Sequence, residues 1–280
     1  MTSDTVQLRR IKAGKPTLSI VINTFNQPEY LRRVLNALTG QLLDCDELVL
    51  ADDGSGDETR IVFEEWKSRQ NIRAIHVWQK NEGFRRSRIL NAAIAQTRND
   101  YLIFLDGDSV PHPKFAADHR KLARRGFYIQ AHRSFIGQKA SVYFGVENFF
   151  TGRLRAFLSG QIQGWKHVFR WPTPFTKIRW DLRGVRGCNL GIWRDDLIKV
   201  NGYNEEFVGW GREDSELALR LINSGVRWLD VRGRAMCYHL WHPPADRSGL
   251  IQNIKLLENS FAGQCSRCER GLEHHLAASA

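Results

Sequence analysis

This sequence lacks any run of about eighteen or more apolar residues, so no segment reads as a transmembrane helix. Met1 to Lys15 is polar and basic with no apolar core, which argues against a secretory signal. The cysteines Cys45, Cys188, Cys237, Cys265 and Cys268 are odd in number and scattered. They form no disulfide framework and fit a reducing compartment. No G-x-G-x-x-G follows the first predicted strand, which excludes a Rossmann dehydrogenase. Helix-turn-helix, zinc-finger and RNA-binding motifs are absent, so no nucleic-acid partner is expected. Internal repeats and low-complexity tracts are absent too.

What is present suits an enzyme-sized α/β fold. A chain of 280 residues with 42% hydrophobic residues can bury one large core, with or without an embedded subdomain. Its formal charge of +11 is strongly basic and suggests a polyanionic partner: an acidic glycan or an anionic membrane surface. Nine Trp is a high count. Tryptophans stack on sugar faces, but most are ordinary core residues.

Strands and helices alternate through the first half. Strands are predicted at Leu18–Asn23, Glu47–Ala51, Ile72–Val77, Tyr101–Leu105 and Phe127–Ala131. Helices are predicted near Pro28–Leu38, Thr59–Lys67, Arg85–Gln96 and Lys114–Arg124. This alternation implies a doubly wound, mostly parallel sheet with helices on both faces. Glu213–Asn223 and Leu250–Glu258 read as later helices, and Asp230 to Tyr238 as a basic turn with a short strand. Ser134 to Arg186 has no clear period and reads as an irregular excursion.

Asp106-Gly107-Asp108 follows the apolar run Tyr101 to Leu105 directly. Two carboxylates at the end of a buried strand lie where open α/β sheets bind ligands. They are unfavourable together unless a cation sits between them, and hard divalent cations take carboxylate oxygens. The plain alternative is an Asp-Gly turn.

The neighbouring motifs decide between these. Thr24-Phe25-Asn26, Asp52-Asp53-Gly54-Ser55, Asn81-Glu82-Gly83 with Arg88, and Asp106-Gly107-Asp108 occur in this order between Pro16 and Pro113. The series closely resembles the family 2 glycosyltransferases of the GT-A fold. Downstream, Gly187-Cys188-Asn189-Leu190 and Gly209-Trp210-Gly211-Arg212-Glu213-Asp214 resemble the acceptor segment of galactosyltransferases and polysaccharide-chain synthases. Met236-Cys237-Tyr238-His239 stands where those families often place a metal-binding histidine.

The resemblance implies a nucleotide-sugar-binding half over 16–132 and an acceptor-binding and catalytic half over 133–259. A basic tail is expected over 1–15 and a C-terminal tail over 260–280. The implied activity is inverting transfer of a hexose or N-acetylhexosamine from a UDP-sugar to a glycan acceptor, such as a surface polysaccharide or a lipid-linked lipopolysaccharide precursor. With no secretory signal and no membrane span, the expected location is the cytoplasm, with the basic charge suiting peripheral attachment to the inner membrane face.

Residue by residue, the resemblance puts Thr24, Asn26, Glu29 and Asp53 on the uridine, where Asp53 can accept from uracil N3–H. Asn81 and Gly83 allow close backbone approach, and Arg88 is expected on phosphate or on Asp106. Arg85 and Arg86 read as surface charge. Asp106, Asp108 and His239 would hold Mn²⁺ or Mg²⁺, with His242 the alternative to His239 and an imidazole ligand favouring Mn²⁺. Asp214 would be the general base, Trp210 would stack on the acceptor sugar, and Glu213 would bond its hydroxyls. Acids at a helix start are also favoured by the helix dipole whatever their role.

Two other functions compete. A nucleotidyltransferase acting on sugar phosphates also uses α/β sheets and paired Asp, but its Gly-rich basic first loop is not Thr24-Phe25-Asn26-Gln27. A non-catalytic glycan-binding protein of this fold would have lost the acids, and Asp106, Asp108 and Asp214 are present. Cys265-Ser266-Arg267-Cys268 with His274-His275 offers four zinc-type ligands, but at no known finger spacing.

Overall fold

The computed structural model describes residues 15–145, 149–164 and 168–279. All but the last residue of the expected N-terminal tail lies outside this range. The chain runs β1 (Leu18–Thr24), α1 (Pro28–Leu38), β2 (Glu47–Asp52), α2 (Asp57–Lys67), β3 (Arg73–Trp78), α3 (Arg86–Ala95) and β4 (Tyr101–Asp106). It continues through β5 (Ser109–Pro111), α4 (Phe115–Leu122), β6 (Phe127–Ala131), β7 (Arg133–Ile136), α5 (Gln138–Ser141), α6 (Phe149–Leu158), β8 (Ile162–Gln163) and β9 (Phe175–Arg179). The last elements are β10 (Leu190–Trp193), α7 (Arg194–Lys199), α8 (Glu213–Asn223), β11 (Arg227–Arg232), β12 (Cys237–His239), α9 (Leu250–Ala262) and α10 (Glu273–Ser279).

Eight strands form the main sheet in the order β3-β2-β1-β4-β10-β6-β11-β9. Neighbours β3, β2, β1 and β4 are parallel, while β10 runs antiparallel between β4 and β6. The chain moves outward from β1 to β3 and returns to place β4 on the other side of β1. The gap beyond the C-terminal ends of β1 and β4 is therefore the switch point where ligands bind in such sheets. In-register pairing sets Asn23 beside Asp106 there.

Strand alternation explains the two-sided core. Ile20 and Ile22 face one side, with Leu31, Val34, Leu35 and Leu38 of α1. Val21 faces the other, with Ile89, Leu90, Ala93 and Ile94 of α3. All are buried, and each large side chain contributes about 1.5–3 kcal/mol. Pro28 starts α1, where its missing N–H costs nothing.

A second sheet, β5-β12-β7-β8, stands beside the switch point. Its β5 leaves β4 through Gly107 and Asp108 and pairs antiparallel with β12, with His239 opposite Ser109. Gly107 is needed at this corner: a Cβ would come within 3.0 Å of Thr24 Oγ1. Its N–H donates to the Asn23 carbonyl at 2.7 Å.

Two segments differ from the sequence expectation. The stretch from Ser134 to Arg186 holds β7, α5, α6, β8 and β9 and is not irregular throughout. Its α6 hides its period because the buried positions carry small residues, Gly152 and Ala156. The end of the chain packs onto the body: Leu272 is fully buried beside Leu197 and Val200, and Asn201 donates to the Cys268 carbonyl.

Candidate active site

A cleft of about 810 Å³ opens at the switch point. Its walls include Thr24, Asp106, Asp108, Trp210, Glu213, Asp214 and His239, seven positions that the sequence singled out. Arg86, Arg133, Arg186, Arg212 and Arg247 line it as well. Asn23 Oδ1 and Thr24 Oγ1 are buried at its floor and have no hydrogen-bond partner within the protein. Buried polar atoms are rarely left so, and a ligand would supply the missing partners.

The remaining expected donor residues are not on the walls of this cleft. Asn26 is held at φ 48° and accepts from the Gly56 N–H at 3.0 Å. Asp53 is buried, and its carboxylate accepts from Gln79 Nε2 at 2.5 Å and from the Arg85 N–H at 2.9 Å. Burial pushes its carboxyl upward against those hydrogen bonds. Asn81 backs directly onto Gly54, where a Cβ would meet backbone at 2.5 Å. Gly83 is exposed at φ 88° and donates to Asn81 Oδ1. Glu29 is exposed on α1, 3.8 Å from Arg32.

Arg86, read from sequence as surface charge, is the buried hub of the site. Its guanidinium lies 2.9 Å from Asp214 Oδ1, 3.3 Å from Glu213 Oε1 and 3.6 Å from Asp106 Oδ1. Arg88 does not reach Asp106: it is exposed and lines a separate cleft with Glu205 and Arg270. The helical period carries the signal that separates the two arginines. Arg86 shares a face with Ile89, Leu90 and Ala93, all buried, whereas Arg88 points away from that face. Asp106 also lies 3.6 Å from Arg133. Burial raises its carboxyl above the usual range, and Arg86 and Arg133 only partly offset this.

Asp214 and Glu213 open α8, preceded by Arg212 at φ 77°, an uncommon conformation for a non-glycine residue. Gly187 presses against them. A Cβ there would lie 2.3 Å from Asp214 Oδ1 and 2.3 Å from Arg86 Nη2. Burial, reinforced by the adjacent Asp214, pushes the Glu213 carboxyl up to about 7, and Arg86 only partly offsets it. Glu213 Oε2 has no hydrogen-bond partner. Trp210 lies under the Arg247 guanidinium at 4.8 Å.

Asp108 meets two histidines. Its Oδ1 is 2.8 Å from His239 Nδ1, and its Oδ2 is 3.2 Å from His242 Nε2. One ligand atom from each of the three falls within 4.8 Å of the others. Burial disfavours the Asp108 anion, but the hydrogen bonds from His239 and His242 win and hold its carboxyl below the usual range. Asp108 reciprocally raises His242. Among the described residues this is the single three-residue cluster of metal-type ligands. Asp106 stands outside it, between its arginines. The Cys265–Cys268 and His274–His275 residues form no such cluster, and Cys268 is buried with its Sγ 3.3 Å from the Asn201 carbonyl.

An open, mostly parallel sheet whose switch point carries this cleft has the GT-A glycosyltransferase fold. Residues 19–198 match glycosyl transferase family 2, and residues 171–243 match the family described as the N-terminal domain of galactosyltransferase. The chain belongs to glycosyl transferase family 2. It is 27% identical over 242 residues to the chondroitin synthase of Escherichia coli, covering 79% of this chain and 34% of that protein. It is 29% identical over 226 residues to the validoxylamine A glucosyltransferase of Streptomyces hygroscopicus subsp. jinggangensis, covering 75% of this chain and 52% of that one. The chain thus spans about a third to a half of the length of these curated relatives. The mannosyltransferase PcManGT from Pyrobaculum calidifontis, solved in complex with GDP-Man and Mn²⁺, superposes with a TM-score of 0.60 at 16% identity, over 95% of this chain and 70% of its own. TarS 1–349 of S. aureus superposes with a TM-score of 0.61 at 15% identity, over 92% and 68%. At these identities the likeness is one of fold.

Proposed function

We propose that this chain transfers a hexose or N-acetylhexosamine from a UDP-sugar to a glycan acceptor, with inversion at C1. The observation that supports this most is one cleft holding both the Asp108–His239–His242 group and the carboxylate of Asp214, linked through Asp106 and Arg86.

Asp108, His239 and His242 would hold a divalent cation: one carboxylate and two imidazoles suit Mn²⁺ better than Mg²⁺. When bound, such an ion supplies positive charge that stabilises a departing diphosphate. The cleft arginines Arg86 and Arg133 add fixed positive charge suited to phosphate oxygens. Asp214 takes the proton of the acceptor hydroxyl as that oxygen attacks C1. The C1–oxygen bond to the diphosphate breaks, and its electron pair leaves with the nucleotide. Arg86 fixes one Asp214 oxygen and orients the other. Glu213, with a carboxyl near 7 and an unpartnered Oε2, both donates to and accepts from acceptor hydroxyls near neutral pH. Trp210 offers its ring to a sugar face.

Among the described residues no helix is long and apolar enough to cross a membrane. The charge of +11 suits an acidic or lipid-linked acceptor.

A panel of UDP-sugars and GDP-mannose, assayed for hydrolysis and transfer with Mn²⁺ and with EDTA, tests the reading. Turnover of a UDP-sugar that disappears in EDTA is the expected result. Turnover of GDP-mannose alone, or equal turnover in EDTA, overturns the donor or the metal assignment respectively.

A further inference from the structure

Helix α6 is built the wrong way round for a water-facing helix. It buries Gly152 and Ala156 and turns its large apolar residues outward. Phe150 is 57% exposed, Leu154 58% and Leu158 76%, and Phe157 is exposed with them. These positions follow the spacing i, i+4, i+7, i+8, which gathers them on one stripe of the helix. Small residues on the inner face let α6 lie close to the body. Nothing on the inner face would explain the large residues on the outer one.

The stripe continues past the helix. Phe157 packs edge-on against Phe169 at 5.5 Å, and Trp171 packs edge-on against Phe175 at 6.2 Å. Phe169, Trp171 and Phe175 are all exposed. No Asp or Glu occurs between Phe149 and Trp180, whereas Arg153, Arg155, Arg170, Lys177 and Arg179 do. Arg153 sits among the rings, 5.5 Å from Phe150 and 5.5 Å from Phe169.

We propose that the α6 stripe and the adjoining Phe169, Trp171 and Phe175 dock on an anionic lipid bilayer. Aromatic and aliphatic side chains in a setting of Arg153, Arg155 and Lys177 match the headgroup boundary of a negatively charged leaflet, while Arg170 and Arg179 are held by Asp118 and Asp181. The apolar residues enter the acyl boundary while the basic stems keep their charged ends at the phosphates. The same charge pattern argues against a second copy of the chain as the occupant. Two such faces would set Arg153, Arg155 and Lys177 of each copy against one another, the nearest acids, Asp118 and Asp181, being already paired with Arg170 and Arg179. It argues against a nucleic acid too, because the outermost positions are leucine and phenylalanine rather than lysine.

The surface is tied to the cleft. Phe149, the first residue of α6, packs edge-on against Tyr238 at 5.3 Å, and Tyr238 precedes His239. Docking through α6 would hold the cleft at a set distance from the bilayer, where a lipid-linked acceptor is anchored. The docking does not depend on the transfer reading, and its test does not use transfer.

Sedimentation with vesicles of phosphatidylglycerol and phosphatidylcholine, and with phosphatidylcholine alone, tests the proposal on the full chain. Binding to the anionic vesicles is expected, with a blue shift in tryptophan emission. The double variant Leu154→Glu, Leu158→Glu touches neither cleft nor core and should lower partitioning by about tenfold or more. Lys177→Glu should lower it less and steepen nothing else in the assay. Circular dichroism and gel filtration accompany each variant. Unchanged binding by the double variant, or no binding by the wild type at low salt, overturns the proposal. A wild-type dimer that the double variant converts to monomer also overturns it, in favour of self-association.

Discussion

Arg86 donates to Asp214 across 2.9 Å, and the same guanidinium lies 3.6 Å from Asp106. One buried cation thus joins the residue proposed as base to the strand-end acid beside the metal group. Burial disfavours the Arg86 cation, but Asp214 first and then Asp106 and Glu213 hold it charged. Removing it leaves three acids facing one another. Arg86→Met should cost about 3–5 kcal/mol of unfolding free energy, the usual penalty for breaking a buried ion pair from one side. Urea denaturation measures this. Arg86→Lys should fold better yet transfer poorly, because a single ammonium cannot span both acids.

Gly187 supplies a steric test of the same hub. A methyl group there would press within 2.3 Å of both Asp214 and Arg86. Gly187→Ala should lower transfer strongly and nucleotide binding less, since the clash falls on Asp214 as well as on Arg86. Transfer kinetics beside a UDP-binding titration separate the two. Equal loss of both would mean that the clash spreads across the cleft.

The metal site proposed at Asp108, His239 and His242 makes a prediction residue by residue. Asp108→Ala, His239→Ala and His242→Ala should each weaken Mn²⁺ binding by at least about tenfold, measured by calorimetry with UDP present. Asp106→Ala should weaken it less, because Asp106 faces Arg86 and Arg133. A larger effect from Asp106 than from His242 would return the metal to the adjacent acid pair.

His119 gives a pH dependence away from the site. It is fully buried, bonded to Asn189 Oδ1 at 2.9 Å, and burial lowers its pKa from 6.5 to about 4. The unfolded chain therefore binds a proton at pH values where the folded chain does not. Its contribution is complete above about 6.5 and is lost as pH falls towards 4. The span amounts to about 3 kcal/mol. His119→Gln keeps a donor for Asn189 but does not titrate. Its unfolding free energy, compared with wild type between pH 7 and pH 4.5, should show the wild type losing more. Parallel pH curves would contradict this.

Much of the fold is legible in the sequence because its buried strands are short apolar runs and its first-half helices carry a clean stripe. Phe127–Ala131 and Glu213–Asn223 fall where the pattern puts them. The strand β10 is not legible as such: Leu190 to Trp193 is four residues long and gains its place by pairing antiparallel with β4 and β6, a long-range event. Helix α6 is missed because its pattern is inverted. At the site, the residues of strand ends and loop motifs are visible by type and order. Arg86 is not singled out, since three arginines stand within Arg85 to Arg88 and the choice among them depends on which one the body of α3 turns inward. His242 is placed by the second sheet, which brings β12 against β5.

The central claim is that Asp214 is the base and belongs to the acceptor side. Asp214→Asn keeps the shape of the side chain and removes the basic oxygen. Transfer rate and UDP affinity measured on this one variant test the claim most directly. The account predicts a loss of about 10²–10⁴-fold in transfer, the usual contribution of a positioned base, with UDP affinity little changed. Near-normal transfer would contradict it and move the role to Glu213, whose carboxyl already lies near 7.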